Sequence, residues 1–454
     1  MDLEKTFAIY TLGCKVNQEE SAALANVFRE HGWSQVAFGE RAAVCIINTC
    51  TVTQIAEKKS RNMLRRAVAA NPAAYVAATG CYAQMKPEAA AAIAGVDLVL
   101  GANEKHRLFE LAAAGAKARQ DKALSERAQV EVSAAREQRE YREIGNADSQ
   151  TSRTRAFVKI EDGCNQFCSY CIVPYVRGPV RSRPMESVLA ECRRLIGAGY
   201  GEVVLTGIHV GAWGSDLSGF GGRSGFARLV QEVVQLPGLR RLRLGSVEPR
   251  EISRELIDLA AHGDIICPHF HVPLQAADDR ILRSMKRNYD INYYEELVAM
   301  IRESLPEAAI TTDIIAGFPG ESPEIFAAEL ERVRRLELAD AHIFPYSKRP
   351  GTPAADFPGQ LSQAAKSERA AALAAEVAQS RRRFRERLLG REVEVLVEQP
   401  EEREGLSGMQ GYTADYVPVF FPGLGAEESG RFVKGRGVRL IADDLLWAEP
   451  IAFV

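Results

Sequence analysis

RAFVKIEDGCNQFCSYC occupies residues 155–171. A short apolar run, RAFVKIED, reads as a strand and is followed at once by Cys164, Cys168 and Cys171, spaced C-x3-C-x2-C. A closed zinc site takes four protein ligands, and so does an all-cysteine 4Fe-4S cluster. Three thiolates leave one position open. In a structural site that is a defect, whereas in a catalytic site it is the position a substrate needs. A zinc knuckle completed by a distant residue is the competing reading, although zinc sites more often pair two C-x2-C units.

Outward from this stretch the chain is α/β. Strands are expected at RAFVKIED, EVVLTG, RRLRLGS, PHFHVP, ITTDIIAG and AHIFPY, separated mostly by helical stretches such as MESVLAECRRLIGAG and NYYEELVAMIRESL. Six strands with helical crossovers predict an incomplete (β/α)6 barrel within 153–390, extended by a helical run from 361. The cysteines then follow the first barrel strand, and active sites of such barrels lie at the strands' carboxyl ends. Residues 1–115 alternate strands (FAIYTLG, AVCIINT, AYVAATG, VDLVLGA) with helices, which predicts an open parallel βα sheet. Residues 116–152 are charged, almost without large apolar side chains, and read as a linker, either extended or partly helical. Residues 391–454 contain four strand-like stretches with Gly-rich connections, the pattern of a small β-barrel of oligonucleotide-binding type.

A chain of 454 residues exceeds one ordinary core, so two or three domains are expected. The net charge of −3 means that nucleic acid would have to be met by local patches rather than by an overall basic field. No apolar run is long enough to span a membrane, and MDLEKTFAIYTLGC lacks a secretory layout, so a cytoplasmic location is expected. The nine cysteines are odd in number and too dispersed for a disulfide scaffold.

Cys14, Cys50 and Cys81 each follow a predicted strand of the N-terminal unit. Carboxyl ends of strands gather along one edge of an open parallel sheet, so these three thiols could converge there. A lone cysteine after a strand is also an ordinary packing residue. Cys45, Cys192 and Cys267 read as core.

Taken together, TLGCKVNQEES, NTCTVT, KKSR, GCYAQ, DGCNQFCSYCIVPYVRGPVRSR, LTGIHVG, HFHVPLQ, DIIAGFPGE and FPYSKRPGT resemble the radical S-adenosylmethionine (SAM) methylthiotransferases, in motif order and over nearly the whole chain. The resemblance implies an N-terminal methylthiotransferase domain, a radical-SAM partial barrel and a C-terminal TRAM barrel. It implies two 4Fe-4S clusters, one on Cys164, Cys168 and Cys171 with SAM completing the open iron, and an auxiliary one on Cys14, Cys50 and Cys81. GCKVNQ around Cys14 and DGCNQFC around Cys164 are similar to the branch that acts on threonylcarbamoyladenosine at tRNA position 37. The implied reaction forms a 5′-deoxyadenosyl radical, which removes the hydrogen from C2 of the modified adenine before a methylated sulfur is delivered. Such chemistry also implies an electron donor such as flavodoxin or ferredoxin.

Gly207, Ser246, Glu248, Gln275 and Asp313 sit at predicted strand ends, where they either contact SAM or cap loops. Asn17 and Asn48 either position the auxiliary loops or are plain turn residues. Arg177, Arg181 and Arg183 are expected to face substrate phosphates, with further basic faces at Lys58, Lys59, Arg61, Arg65 and Arg66 and at Arg381, Arg382, Arg383, Arg385 and Arg387. Other readings are sister branches acting on isopentenyladenosine in tRNA or on a ribosomal-protein aspartate, a radical-SAM enzyme without sulfur insertion, and a metal-stabilised RNA-binding protein without catalysis.

Overall fold

The structure is a computed structural model that describes residues 5–121, 128–146, 154–220 and 224–454. Its N-terminal sheet contains β1 (Thr6–Thr11), β2 (Ser34–Gln35), β3 (Val44–Thr49), β4 (Tyr75–Gly80), β5 (Leu98–Leu100) and β6 (Gln129–Glu131), in the spatial order β2-β1-β3-β4-β5-β6. Every pairing is parallel. The central strands VCIINT and YVAATG are buried along their whole length, as apolar strands covered on both faces must be. One face packs under α1 (Lys15–Glu30), through Leu24 and Phe28. The other packs under α2 (Gln54–Ala70), with Leu64 and Ala67, and the short helices α3 (Cys81–Met85) and α4 (Pro87–Ala91). Thr53 caps α2 by accepting from the Ala56 N–H at 3.1 Å.

The stretch expected as a linker is in part sheet and helix. α5 (Leu108–Asp121) runs past residue 115, and β6 adds the last strand, with Gln129 N–H donating to the Asp97 carbonyl at 2.8 Å. An edge strand with exposed side chains needs no apolar pattern, and charge on it discourages pairing with other chains. Residues 122–127 and 147–153 of that stretch lie outside the described residues.

The second unit carries β7 (Ala156–Lys159), β8 (Glu161–Asp162), α6 (Val173–Arg177), β9 (Arg181–Ser182), α7 (Met185–Gly197), β10 (Glu202–Thr206), α8 (Ser224–Val234), β11 (Arg241–Leu244), α9 (Arg254–His262), β12 (His269–His271), α10 (Asp279–Ser284), α11 (Ile291–Ser304), β13 (Ala309–Ala316), α12 (Pro323–Leu336), β14 (Asp340–Pro345) and α13 (Gln363–Glu386). Parallel sheets β11-β10-β7 and β12-β13-β14 are joined by a bridge between Leu242 and Ile266. The result is a six-stranded partial barrel wrapped by helices, whose core runs from Val158 and Val203 to Ile310 and Leu373. RAFVKIED is two strands rather than one: β7 joins the barrel, while β8 pairs antiparallel with β9.

The last unit is a closed barrel, β15 (Glu392–Arg403), β16 (Leu406–Thr413), β17 (Pro418–Pro422), β19 (Leu446–Phe453) and β18 (Phe432–Leu440). It has five strands where four stretches were expected, because LSGMQGYT in β16 is too glycine-rich to read as strand. It docks on the amino ends of the partial-barrel strands. Arg243 donates to the Ala414 carbonyl at 2.9 Å, Arg241 to the Glu394 carbonyl at 2.7 Å, and the Phe432 ring lies under Arg240 at 4.0 Å.

Candidate metal centres and active site

β1, β3 and β4 are neighbours in the first sheet, and each delivers one cysteine past its carboxyl end. Cys14 is the N-cap of α1, Cys50 directly follows β3, and Cys81 opens α3. Gly13 makes their approach possible: a Cβ there would stand 2.9 Å from the Cys50 sulfur, and its φ of 102° belongs to glycine. Burial pushes the Cys50 thiol up to about 11 and also raises Cys81; Cys81 and Cys14 raise Cys50 further, and Cys14 raises Cys81, so the three share one locality. Ser60 fastens the Cys50 peptide from both sides, accepting its N–H at 3.0 Å and donating to its carbonyl at 2.8 Å.

Cys164, Cys168 and Cys171 lie in the loop closed by β8 and β9. Gly163 enters it at φ 89°, and a Cβ there would overlap the Pro179 carbonyl. The Cys164 N–H donates to the Gly178 carbonyl at 3.0 Å, and the Cys171 N–H to the Cys168 carbonyl at 3.0 Å. Burial raises Cys168 and pushes Cys171 up to about 12, and the other two thiols of the triad raise it further. Among the described residues no group of His, Cys, Asp and Glu stands close enough to hold a single metal ion. Thiols that bind separate irons of one cluster need not meet at a point.

Two sulfur contacts were not anticipated from the sequence. His209 places Nδ1 3.6 Å from the Cys164 sulfur and Nε2 2.7 Å from Glu251. Its desolvation is outweighed by Cys164 and Glu251, which push it up to about 11. Arg287 donates from Nη1 to the Cys168 sulfur at 3.3 Å and pairs with Glu248 through Nη2. His209 stands inside LTGIHVG, which drew attention only for Gly207. Arg287, in KRNY, carries no sequence signal beyond its charge.

Comparison with known proteins places both cysteine sets in matched segments. Residues 6–101 match the family described as "Uncharacterized protein family UPF0004", and residues 158–333 match the "Radical SAM superfamily". The chain is 36% identical over 455 residues, covering 97% of itself and 98% of the relative, to "Threonylcarbamoyladenosine tRNA methylthiotransferase MtaB" of Bacillus subtilis (strain 168). The chain belongs to the radical-SAM tRNA methylthiotransferase family. It is also 37% identical over 445 residues, 96% of each chain, to "tRNA-2-methylthio-N(6)-dimethylallyladenosine synthase" of Moorella thermoacetica (strain ATCC 39073 / JCM 9320). Among solved structures, the radical S-adenosylmethionine methyltransferase TsrM from Kitasatospora setae superposes with a TM-score of 0.57 at 18% identity over 77% of each chain, a likeness of fold.

In this methylthiotransferase the residues expected near SAM follow three strands, β10, β11 and β12, and lie within a fourth, β13. Gly207 follows β10 and abuts Glu161, whose Oε2 stands 2.9 Å from where a Cβ would be. Ser246 is exposed after β11, and Glu248 is engaged by Arg287. Gln275 holds φ 64° after β12, exchanging backbone hydrogen bonds with Asp313 and Ile315 at 2.8 and 2.9 Å. Asp313 lies within β13 rather than at its end, 3.4 Å from His271 Nε2. Among the described residues Glu161 Oε1 has no hydrogen-bond partner although buried.

The phosphate-facing role of Arg177, Arg181 and Arg183 is overturned. They are 1%, 3% and 4% exposed. Arg183 pairs with Glu143 and Glu191, and Arg181 donates to the Arg177 carbonyl and to Asn103. The sequence showed their charge but not the buried carboxylates that claim it. Four of the five arginines in the basic run at the end of α13 are paired, Arg381 and Arg382 with Asp444, Arg383 with Glu337 and Arg385 with Asp340, while exposed Arg387 donates to the Phe384 carbonyl. Lys58, Lys59, Arg65 and Arg66 are exposed on α2, while Arg61 pairs with Glu57. Asn17 and Asn48 are buried and bonded around the first triad, more than turn residues would be. Cys45, Cys192 and Cys267 are buried, as core residues are.

Proposed function

We propose that Cys164, Cys168 and Cys171 hold a 4Fe-4S cluster completed by SAM, that Cys14, Cys50 and Cys81 hold a second, and that the substrate is N6-threonylcarbamoyladenosine at tRNA position 37, converted to its 2-methylthio derivative. The observation that carries this reading is two separate sets of three thiols, each gathered in one locality. Raised thiols of this kind shed their protons to metal on loading. Bound there, the clusters and SAM supply one-electron chemistry and a sulfur source, which an adenine C2–H requires because it has no acidic proton for a base.

The chain's own residues position and shield. Gly163 and Gly13 bring peptide close to the sulfurs, Arg287 and His209 aim hydrogen bonds at two of them, and Gln275 ties the loop after β12 to β13 through the Asp313 and Ile315 backbone. Exposed Lys58, Lys59, Arg65 and Arg66, on the helix that follows Cys50, suit contact with anticodon-arm phosphates. The five-stranded barrel fits a TRAM module, yet Lys434 and Arg439 pair with Glu392 and Glu404, so it offers RNA little spare charge. A flavodoxin or ferredoxin would supply electrons, in the cytoplasm where tRNA is. Among the described residues no helix is long and apolar enough to cross a membrane.

The near-equal identity to a dimethylallyladenosine synthase favours isopentenyladenosine as the second reading. Mass spectrometry of tRNA nucleosides from cells with and without the gene decides between them. Loss of the 2-methylthio form with threonylcarbamoyladenosine accumulating is the expected result. Accumulation of isopentenyladenosine instead selects the second substrate, and an unchanged profile overturns both.

A further inference from the structure

Arg177 closes α6, six residues after Cys171, and its fork reaches across to the other cysteine site. Nη2 donates to Asn17 Oδ1 at 2.6 Å, and Nη1 donates to Glu20 Oε1 at 2.7 Å and to Asp162 Oδ1 at 3.0 Å. Asn17 passes this contact to the first triad. Its Nδ2 donates to the Leu12 carbonyl at 2.7 Å and to the Thr49 carbonyl at 3.0 Å. Thr49 directly precedes Cys50, and Leu12 leads into Gly13 and Cys14. Asp162 performs the same task on the second triad, with Oδ1 accepting the Gly163 N–H at 2.8 Å, next to Cys164.

Lys159 bridges the same two carboxylates, at 2.6 Å to Glu20 and 2.7 Å to Asp162, and Lys105 adds a further bond to Glu20. With Arg181 3.7 Å from Asp162, four buried cations thus meet two buried carboxylates between the sites. A buried ion cluster is poor value as stability alone, since well-packed apolar groups often do as well. Its directional fork fixes geometry, which apolar packing does less sharply.

We infer that Arg177 and Asn17 form a strut that sets the separation and orientation of the two cysteine triads. This inference rests on the proposed ligand sets. A sulfur held at one site must meet a carbon activated at the other, and misplacement of about 1 Å costs on the order of 100-fold in such transfers. Arg177 and Asn17 are positioning residues. They act through the peptides beside Cys14, Cys50 and Cys164.

Arg177→Lys keeps the charge but loses the fork, and Asn17→Ala removes the link to Leu12 and Thr49. Hydrogen exchange on cluster-free protein reads the strut without any activity. Faster exchange at residues 11–20 and 49–53 is expected in both variants. After loading with iron and sulfide, pulsed EPR of the reduced protein reads magnetic coupling between the clusters, and an altered coupling is expected. With RNA substrate, 5′-deoxyadenosine formed per methylthio group inserted is expected to rise roughly 10- to 100-fold, because cleavage outruns transfer. Parent-like exchange, coupling and product ratio in both variants overturn the strut. So does a variant that loses only the Cys164 cluster while exchange around the first triad stays unchanged. A parent that holds both clusters yet modifies no RNA would overturn the proposed function, and the exchange and coupling would still judge the strut.

Discussion

Gly163 stands at φ 89° beside Cys164, and the Pro179 carbonyl fills the space a side chain would take. Gly163→Ala should cost about 3 kcal/mol, from the positive φ and the backbone overlap together. The expected protein keeps the first cluster and loses the second, which iron analysis against parent would show. Glu329 offers a pH test away from the site. Burial, and then the Glu321 charge, push its carboxyl from 4.5 up to about 8. Between those values the folded chain holds a proton that the unfolded chain has released, so its contribution to stability falls as pH rises. Glu329→Gln keeps an acceptor for the Ala277 N–H, now 2.9 Å from Glu329 Oε1. It should match the parent near pH 4 and exceed it by about 2 kcal/mol near pH 9, measured as the shift in Tm. The grouping of the cysteines was legible in residue type, spacing and strand order, and each set of three is gathered in one locality. Arg177 was not, because burial and partners decide whether a guanidinium meets phosphate or carboxylate, and neither is local in sequence.

At the scale of elements, the alternation of apolar runs and helices revealed the parallel strands well. It failed where backbone pairing outweighed side-chain pattern. β6 is charged and exposed but bonded along the sheet edge, and β8 needed its partner β9 to be seen as separate from β7. β16 is the third case. Its Gly408 and Gly411 face the Phe421 and Leu396 carbonyls so closely that a Cβ would overlap either one. Glycine usually weakens a strand, but here it lets a small barrel close. Gly408→Val should destabilise that unit by about 3 kcal/mol and give it a separate, earlier thermal transition in calorimetry, leaving the rest of the melt in place.

For the whole molecule, the C-terminal barrel seals the amino ends of the partial-barrel strands, opposite the cysteine loop. Arg243 holds the junction, donating to Ala414 and also to buried Glu202 at 2.8 Å. Among the described residues, Arg243→Ala would leave Glu202 with the more distant Arg241 at 3.8 Å as its ion-pair partner. Loss of a partner from a buried pair costs about 3–5 kcal/mol. The expected outcome is a detached barrel, seen as a larger radius in small-angle scattering, with both clusters retained.

The pairing of Glu20 with Lys105 lies wholly within the first sheet unit, and that of Asp162 with Lys159 and Arg177 wholly within the second. Each half thus carries its own counterions before they meet. During synthesis the sheet bearing Cys14, Cys50 and Cys81 is complete once β6 has left the ribosome, ahead of Cys164. On the proposed ligand sets, all three thiols of the first site are thus made before any of the second, and the strut can clasp the two only after Arg177 emerges.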